Sequence, residues 1–190
     1  MAQELELKYA ATEAQLQQLQ THYGGFTPIT METTYYDTPG GLLSQSRITL
    51  RCRLENGMGV CTVKAPGQGS ARGEWETPGT DIAGAIPELC KLGAPQMLLP
   101  LPTLIPVCGA RFTRLARMLP LSDGEAELAL DRGVLLGGGR ELPFCEVELE
   151  LKSGSEAGLT ALAEAIAAAF SLTPEPRSKF QRAHELSLTG

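Results

Sequence analysis

Histidine is scarce in this chain of 190 residues: there are two, His22 and His184. Both fall in helix-like stretches, which speaks against a histidine-based catalytic triad. Cysteine is present at Cys52, Cys61, Cys90, Cys108 and Cys145, but no two form a C-x-x-C pair and no histidine lies at zinc spacing. Cys52, Cys61 and Cys145 sit inside strand-like runs. They read as buried, reduced thiols, which fits a cytoplasmic protein. No run approaches the roughly 18 apolar residues of a membrane helix. The N-terminus lacks the basic segment and apolar stretch of a secretion signal. A basic excess is also missing: the net charge is −6, which argues against nucleic-acid binding through a basic surface. Aromatic residues make up 5% of the chain, with Trp75 as the lone tryptophan. There is no fixed-period repeat and no low-complexity tract. What remains is the balance of a soluble globular protein, 43% hydrophobic and 20% charged, long enough for one sizeable core and one domain, residues 1–190.

The first stretch, Met1 to Tyr9, alternates charge and hydrophobe with period two. In a strand this puts Glu4, Glu6 and Lys8 on one face and Leu5, Leu7 and Tyr9 on the other. Two carboxylates about 7 Å apart on one strand face repel unless a cation lies over them. A divalent metal would serve. A plain solvated face is the alternative.

Along the chain, helix and strand signals follow in turn. Ala11 to His22 predicts a helix, with Thr12 and Gln15 as a capping box and Gly24-Gly25 as its stop. Phe26 to Thr38 predicts a strand, and Leu42-Leu43 a short turn or helix. Ser46 to Leu54 and Gly59 to Lys64 predict a hairpin around Glu55-Asn56-Gly57. Arg72 to Thr77 is strand-like again. Asp81 to Leu92 predicts a short helix capped by Thr80, its continuity weakened by Pro87. Phe112 to Leu119 and Glu125 to Asp131 predict a second hairpin, followed by a glycine-rich turn region over Arg132 to Glu141 with Gly133 to Leu136 as an alternative short strand. Leu142 to Lys152 is the most regular alternation of all. Ser155 to Phe170 predicts the longest helix, and Lys179 to Leu186 a last one capped by Ser178. About eight antiparallel, hairpin-linked strands result, with a few helices: an α+β meander or closed barrel.

Strand after strand carries charges in phase: Arg51 and Arg53; Lys64; Arg72, Glu74 and Glu76; Arg114; Glu125 and Glu127; Glu146, Glu148 and Glu150. In an ordinary sandwich such faces are simply wet. Same-sign charges at i, i+2 and i+4 repel on an open face, however, and the signs segregate by strand. A sheet closed with its charges inward makes a cavity with a cationic and an anionic wall. Arginines suit phosphate oxygens through multidentate hydrogen bonds. Carboxylates suit Mg²⁺ or Mn²⁺.

Glu4-Leu5-Glu6-Leu7-Lys8 resembles the E-x-E-x-K signature of the CYTH superfamily, the triphosphate tunnel metalloenzymes. Tyr35-Tyr36-Asp37-Thr38, Leu50-Arg51-Cys52-Arg53, Thr62-Val63-Lys64, Arg114, Glu146-Val147-Glu148-Leu149-Glu150 and Ser178-Lys179 agree in order, so the resemblance covers nearly the whole chain. The layout looks most like the CYTH half of bacterial inorganic triphosphatases. The chain ends before a C-terminal helical CHAD domain could begin, as in a stand-alone or shortened module. The resemblance implies an eight-stranded antiparallel closed barrel, with helices packed outside, whose tunnel holds a small-molecule triphosphate. It implies metal-dependent hydrolysis of tripolyphosphate to pyrophosphate and phosphate. Glu4, Glu6, Glu146, Glu148 and Glu150 match metal ligands. Lys8 matches a lysine beside the phosphate and the attacking water, so that Glu4, Glu6 and Lys8 form the catalytic set. Arg51, Arg53, Lys64, Arg114, Lys179 and, more loosely, Arg72 match phosphate-binding residues. Mg²⁺ or Mn²⁺ is the implied cofactor, and a monomer or weak homodimer the implied state.

Other members of that superfamily are thiamine triphosphatases and adenylate cyclases. The sequence shows no aromatic cluster for an adenine, which speaks against the cyclase. A polyphosphate- or nucleotide-binding module without catalysis is a further alternative, disfavoured because a binder needs no metal wall. Arg111 and Arg117 compete with Arg114 for the place on the strand. Glu125 and Glu127 either extend the acidic wall or face solvent. Asp37 reads as a turn residue, Trp75 as packing, and Arg177 and Arg182 as surface charges near the tunnel mouth.

Overall fold

One antiparallel sheet carries the fold. The computed structural model describes residues 2–3, 5–66, 72–101 and 103–189. Its strands are β1 (Ala2–Gln3), β2 (Glu6–Ala10), β3 (Thr27–Asp37), β4 (Thr49–Glu55), β5 (Met58–Pro66), β6 (Arg72–Pro78), β7 (Ile105–Pro120), β8 (Glu125–Gly137), β9 (Arg140–Ser153) and β10 (Thr173–Pro174). They pair in the order β1-β6-β5-β4-β3-β7-β8-β9-β2-β10. The α+β class holds, with eight long strands and two of two residues. A closed barrel is not confirmed: among the described residues the hydrogen-bonded order runs from β1 to β10 and these two ends do not pair. The expected first strand is also split. Ala2–Gln3 pairs with β6 and Glu6–Ala10 with β9, so one short N-terminal stretch reaches both sides of the sheet.

Two strands are longer than their local signals. β7 begins at Ile105, well before Phe112, and β8 runs without a break from Glu125 to Gly137, so that the alternative strand at Gly133 to Leu136 is its continuation. Continuous pairing of β8 with both neighbours outweighs the glycine content there. The turn is confined to Gly138 and Gly139, both at positive φ.

The face of the sheet away from the charges is covered by helices in two groups. α1 (Glu13–Tyr23) and α4 (Glu156–Phe170) set Leu16, Leu19, Leu159 and Ile166 against Tyr9, Leu128, Leu130, Val147 and Leu149. The Thr12–Gln15 capping box of α1 forms as expected. α2 (Leu42–Gln45) and α3 (Ile82–Lys91) cover β4 and β5 through Leu43, Ile82, Ile86 and Leu89. The α3 cap is Asp81 rather than Thr80, its Oδ1 accepting from the Ala83 N–H at 3.1 Å. Pro87 does not break α3, because Ile82, Ala85, Ile86, Leu89 and Cys90 form one continuous buried stripe.

α5 (Lys179–Leu188) corrects the expectation that all helices pack outside. Ala183 shares a core with Cys108, Ala110, Phe112, Leu135 and Phe144. Phe112 and Arg114 line the cavity described below, and Cys108 and Ala110 alternate onto that same face. α5 therefore sits on the inner face of β7, β8 and β9. Gly137 makes the close approach possible: a Cβ there would lie 2.3 Å from the Ala183 carbonyl oxygen.

Candidate active site

The inner face bounds a cavity of about 360 Å³. On one side β4 and β5 contribute Arg51, Arg53 and Lys64, and β6 contributes Glu74 and Glu76; on the other β2, β8 and β9 contribute Glu6, Lys8, Glu127, Glu148 and Glu150; Arg114 and Lys179 also line it. Glu4 and the side chain of Arg72 lie outside the described residues. The segregation of sign is less strict than strand phase suggests. Glu74 stands 3.4 Å from Lys64 and 3.6 Å from Arg51, and Glu76 3.8 Å from Arg51. Glu55 pairs with Arg53. The basic wall is thus braced by its own carboxylates, of which the sequence reading placed Glu74 and Glu76 in phase with Arg72 but gave them no role.

Register decides which acidic groups face one another. Glu6 pairs with Glu150, and Glu150 with Glu127. Three carboxylates thus form one row across β2, β9 and β8, with neighbouring Cβ atoms about 4.5–5.5 Å apart. Lys8 lies 3.2 Å from Glu6 and Lys152 2.8 Å from Glu150. Glu127 makes no ion pair among the described residues.

Deeper, toward α5, is a buried network. Glu146 and Asp131 are opposite one another on β9 and β8, and Asp131 is opposite Arg114 on β7. Arg114 donates to both Asp131 oxygens, Nε to Oδ1 at 2.8 Å and Nη2 to Oδ2 at 2.7 Å, and also to Glu148. The Lys179 ammonium lies 2.7 Å from Asp131 and 2.7 Å from Glu148 and bonds Glu146 as well. Arg182 donates to the other Glu146 oxygen and lies over the Phe144 ring at 5.5 Å. Asp131 and Glu146 are fully buried. Three carboxylates are matched by three cations.

The pKa directions follow. Burial opposes the Lys179 ammonium, but Asp131, Glu148 and Glu146 outweigh it and hold it above the lysine range. Burial works against ionising Glu148, yet Lys179 and Arg114 keep it well below the carboxylate range. Burial pushes Glu146 up to about 7 despite Lys179 and Arg182. On the basic wall, burial and then the neighbouring Arg51 lower Arg53, whose Nε finds no hydrogen-bond partner among the described residues. That guanidinium is poised for an anion.

Of the three competing arginines, Arg114 points inward. Arg111 pairs with exposed Glu141, and Arg117 donates to the carbonyls of Tyr23 and Gly24 at the end of α1. Asp37 is a turn residue: Oδ1 accepts from the Thr38 and Leu43 N–H groups and Oδ2 from Ser44. Trp75 packs beside α3. Glu146 does not line the cavity; it holds Lys179 and Arg182. Arg182 is half-buried and held by Glu146 rather than a surface charge, while Arg177 is exposed and pairs with Glu175. Asp131 was missed, although it stands in phase with Glu125 and Glu127 on one strand. The missing aromatic cluster is also corrected. Tyr35, Phe112, Phe144 and Phe180, far apart in sequence, gather at the α5 end, and all but Phe144 line the cavity.

Oxygen donors of two kinds fit a hard divalent cation. Asp131, Glu146 and Glu148 have ligand atoms within 4.8 Å of one another and could hold a metal, in competition with the cations that already neutralise them. Glu6, Glu127 and Glu150 open directly on the cavity, with Lys8 and Lys152 beside them.

Fold and cavity together define a class: antiparallel sheet proteins whose inner face sets a cationic wall and an acidic wall around one cavity. The family follows from comparison with known proteins. The model of the CYTH domain matches residues 2–183, and the chain belongs to the CYTH domain family. It is 31% identical over 166 residues, 82% of the chain, to an inorganic triphosphatase of Haemophilus influenzae. It spans 47% of that relative's length. Among solved structures, a Hippeastrum protein described as an adenylyl cyclase with a dominant triphosphatase activity aligns with TM-score 0.66 at 17% identity, over 97% of this chain and 95% of its own. A Pyrococcus horikoshii protein, PH1819, aligns with TM-score 0.66 at 20% identity, over 96% and 98%. These two likenesses concern the fold.

Proposed function

We propose that this chain hydrolyses inorganic triphosphate to pyrophosphate and phosphate with the help of Mg²⁺ or Mn²⁺. The observation that carries it is the opposition, across one 360 Å³ cavity, of Arg51, Arg53 and Lys64 to the row Glu6, Glu150 and Glu127. The name of the Haemophilus influenzae relative supports it. Arg51, Arg53, Lys64, Arg72 and Arg114 bind the phosphate oxygens by planar, charge-assisted hydrogen bonds. Glu4, Glu6, Glu148 and Glu150, with Glu146 behind them, hold the cation, which supplies Lewis-acid neutralisation of the phosphate oxygens when bound. Lys8, kept near the acidic row by Glu6, orients the attacking water in line with the terminal phosphorus. Lys179 approaches the α5 end of the substrate. Positioning and charge neutralisation provide most of the rate. In this reading the tunnel closes through the N-terminal stretch that pairs with both β6 and β9, and the enzyme works in the cytoplasm as a monomer or weak homodimer.

Tyr35, Phe112 and Phe180 favour a second reading, in which the triphosphate carries an organic group such as adenosine or thiamine. Phosphate release from tripolyphosphate, ATP and thiamine triphosphate, each with Mg²⁺ and with Mn²⁺, separates the two. Tripolyphosphate is expected to turn over fastest. The double variant Glu4→Ala, Glu6→Ala is expected to stay folded without metal-dependent turnover, and wild-type rates in it would sink the assignment. Tight binding without release would leave a polyphosphate-binding module.

A further inference from the structure

The hairpin of β4 and β5 carries two thiols that the cavity chemistry does not use. Its turn residues Asn56 and Gly57 both have positive φ, 50° and 83°, as in a two-residue type I′ connection. Such a hairpin closes on a hydrogen-bonded pair, here Glu55 with Met58. Pair classes alternate from there, so Leu54–Gly59 is non-hydrogen-bonded, Arg53–Val60 hydrogen-bonded, and Cys52–Cys61 non-hydrogen-bonded. In that class Cα atoms stand about 4.5 Å apart and side chains are at their closest. A disulfide accepts Cα separations of about 4.4–6.8 Å. The sulfurs also converge. Cys52 Sγ donates to the Thr80 carbonyl at 3.5 Å and Cys61 Sγ to the adjacent Gly79 carbonyl at 3.4 Å.

We propose that Cys52 and Cys61 are an oxidation site that closes to a cross-strand disulfide and thereby weakens phosphate binding on the opposite face of β4. With a peroxide as oxidant, the Cys52 thiolate attacks the O–O bond, becomes a sulfenic acid and releases hydroxide, which takes up the proton Cys52 gave. The Cys61 sulfur then displaces the sulfenic oxygen, which leaves with the Cys61 proton as a second water. Two thiols are oxidised and one peroxide is reduced. Cys52 is the attacking sulfur because it keeps some exposure while Cys61 has none. Burial pushes Cys61 up to about 12, so the reaction needs sustained oxidant.

The coupling to the cavity is geometric. Arg51 and Arg53 flank Cys52 and point the other way. Closing the bond draws cross-strand Cβ atoms from about 4.5–5.5 Å to about 3.8 Å, which twists the rung that aims both guanidinium groups. The second half of the proposal rests on the phosphate reading of the cavity; the first half does not. The full chain is treated with hydrogen peroxide, alkylated and mapped by mass spectrometry, and tripolyphosphate binding is measured by calorimetry before and after. A peptide joining Cys52 to Cys61, about 2 Da lighter and restored by dithiothreitol, is expected, with affinity about three- to tenfold weaker in the oxidised form. Cys61→Ala should keep its affinity under the same treatment. A Cys52 that only overoxidises, or a bridge to Cys90, Cys108 or Cys145, overturns the site. A Cys52–Cys61 bridge with unchanged affinity overturns the coupling. Reduced protein that never binds tripolyphosphate sinks the proposed function and leaves the mapped disulfide standing.

Discussion

Replacing Lys179 by methionine removes one ammonium from a point where three carboxylates converge. Its Nζ lies 2.7 Å from Asp131 and from Glu148 and also bonds Glu146, with 9% of the side chain exposed. Methionine keeps most of the packing of the aliphatic stem, so the loss is chiefly electrostatic. Arg114 and Arg182 alone then face three buried carboxylates. Removing one partner of a buried ion pair costs about 3–5 kcal/mol. For a chain of 190 residues each kcal/mol moves Tm by about 2–4 °C, so a fall of about 6–20 °C is expected near neutral pH. The pH dependence has a definite sign. The uncompensated carboxylate has a raised pKa in the folded variant. Between its unfolded value near 4 and that raised value, the folded state binds the extra proton, and stability falls as pH rises. The deficit against wild type is therefore larger at about pH 8 than at about pH 5.5. Mn²⁺ should restore part of it, because the three carboxylates are close enough to share a cation. Differential scanning calorimetry at both pH values, with and without Mn²⁺, reads all of this. A variant within about 1 °C of wild type at about pH 8, or a deficit that grows on acidification, would refute the buried ammonium.

Arg53→Leu removes a buried guanidinium whose Nε is unpartnered among the described residues. Tm should hold or rise while the Tm increase produced by tripolyphosphate shrinks, as differential scanning fluorimetry would show. Arg117→Ala deletes hydrogen bonds to the last carbonyls of α1. It should lower stability by about 1–3 kcal/mol in urea titrations and leave phosphate release unchanged, whereas Arg111→Ala at the surface should change either by little. Glu175 is pushed down to about 2, first by its hydrogen bonds from Arg177. Its contribution is present above the unfolded carboxylate pKa near 4.3 and is lost as pH falls toward 2. Glu175→Gln should therefore unfold earlier than wild type at neutral pH, with the gap in urea midpoint closing in acid.

The strands with strict alternation were legible because period two needs no tertiary information. Glu6, Lys8, Arg51, Arg53, Lys64, Glu148 and Glu150 all come to the cavity face that their phase implies. Arg114 was legible only through family resemblance, since Arg111 and Arg117 sit in the same strand and only the pairing with β3 and β8 sorts inward from outward. Asp131 and Glu127 were within reach, being in phase on β8, but nothing local told a wall residue from a wet one. α5 was legible as a helix and illegible as an inner element. Its placement depends on Gly137 two strands away in sequence order, and on an apolar inner surface assembled from β3, β7, β8 and β9. The same long-range assembly hid the aromatic group around Phe180. Continuity of β8 past Arg132 was lost for the opposite reason: local glycine content argued for a turn that pairing on both sides overrides.

The placement of α5 changes what the charges along the sheet mean. At its end of the cavity, Asp131, Glu146 and Glu148 are answered one for one by Arg114, Lys179 and Arg182. That end is neutral without a ligand, and its polar atoms are largely satisfied inside the protein, which makes it a rigid floor. At the other end, Glu6, Glu127 and Glu150 share one row with two lysines, and Arg53 faces them with an unpartnered Nε. Like charges one rung apart raise the energy of the free protein. They do so where a cation and an anion bound together would relieve both walls at once. The floor holds the geometry, and the open row and the arginine wall supply the driving force. A polyanion without a cation would meet the acidic row, and a cation without a polyanion would meet the basic wall, so each ligand offsets the repulsion the other meets and the two should bind cooperatively.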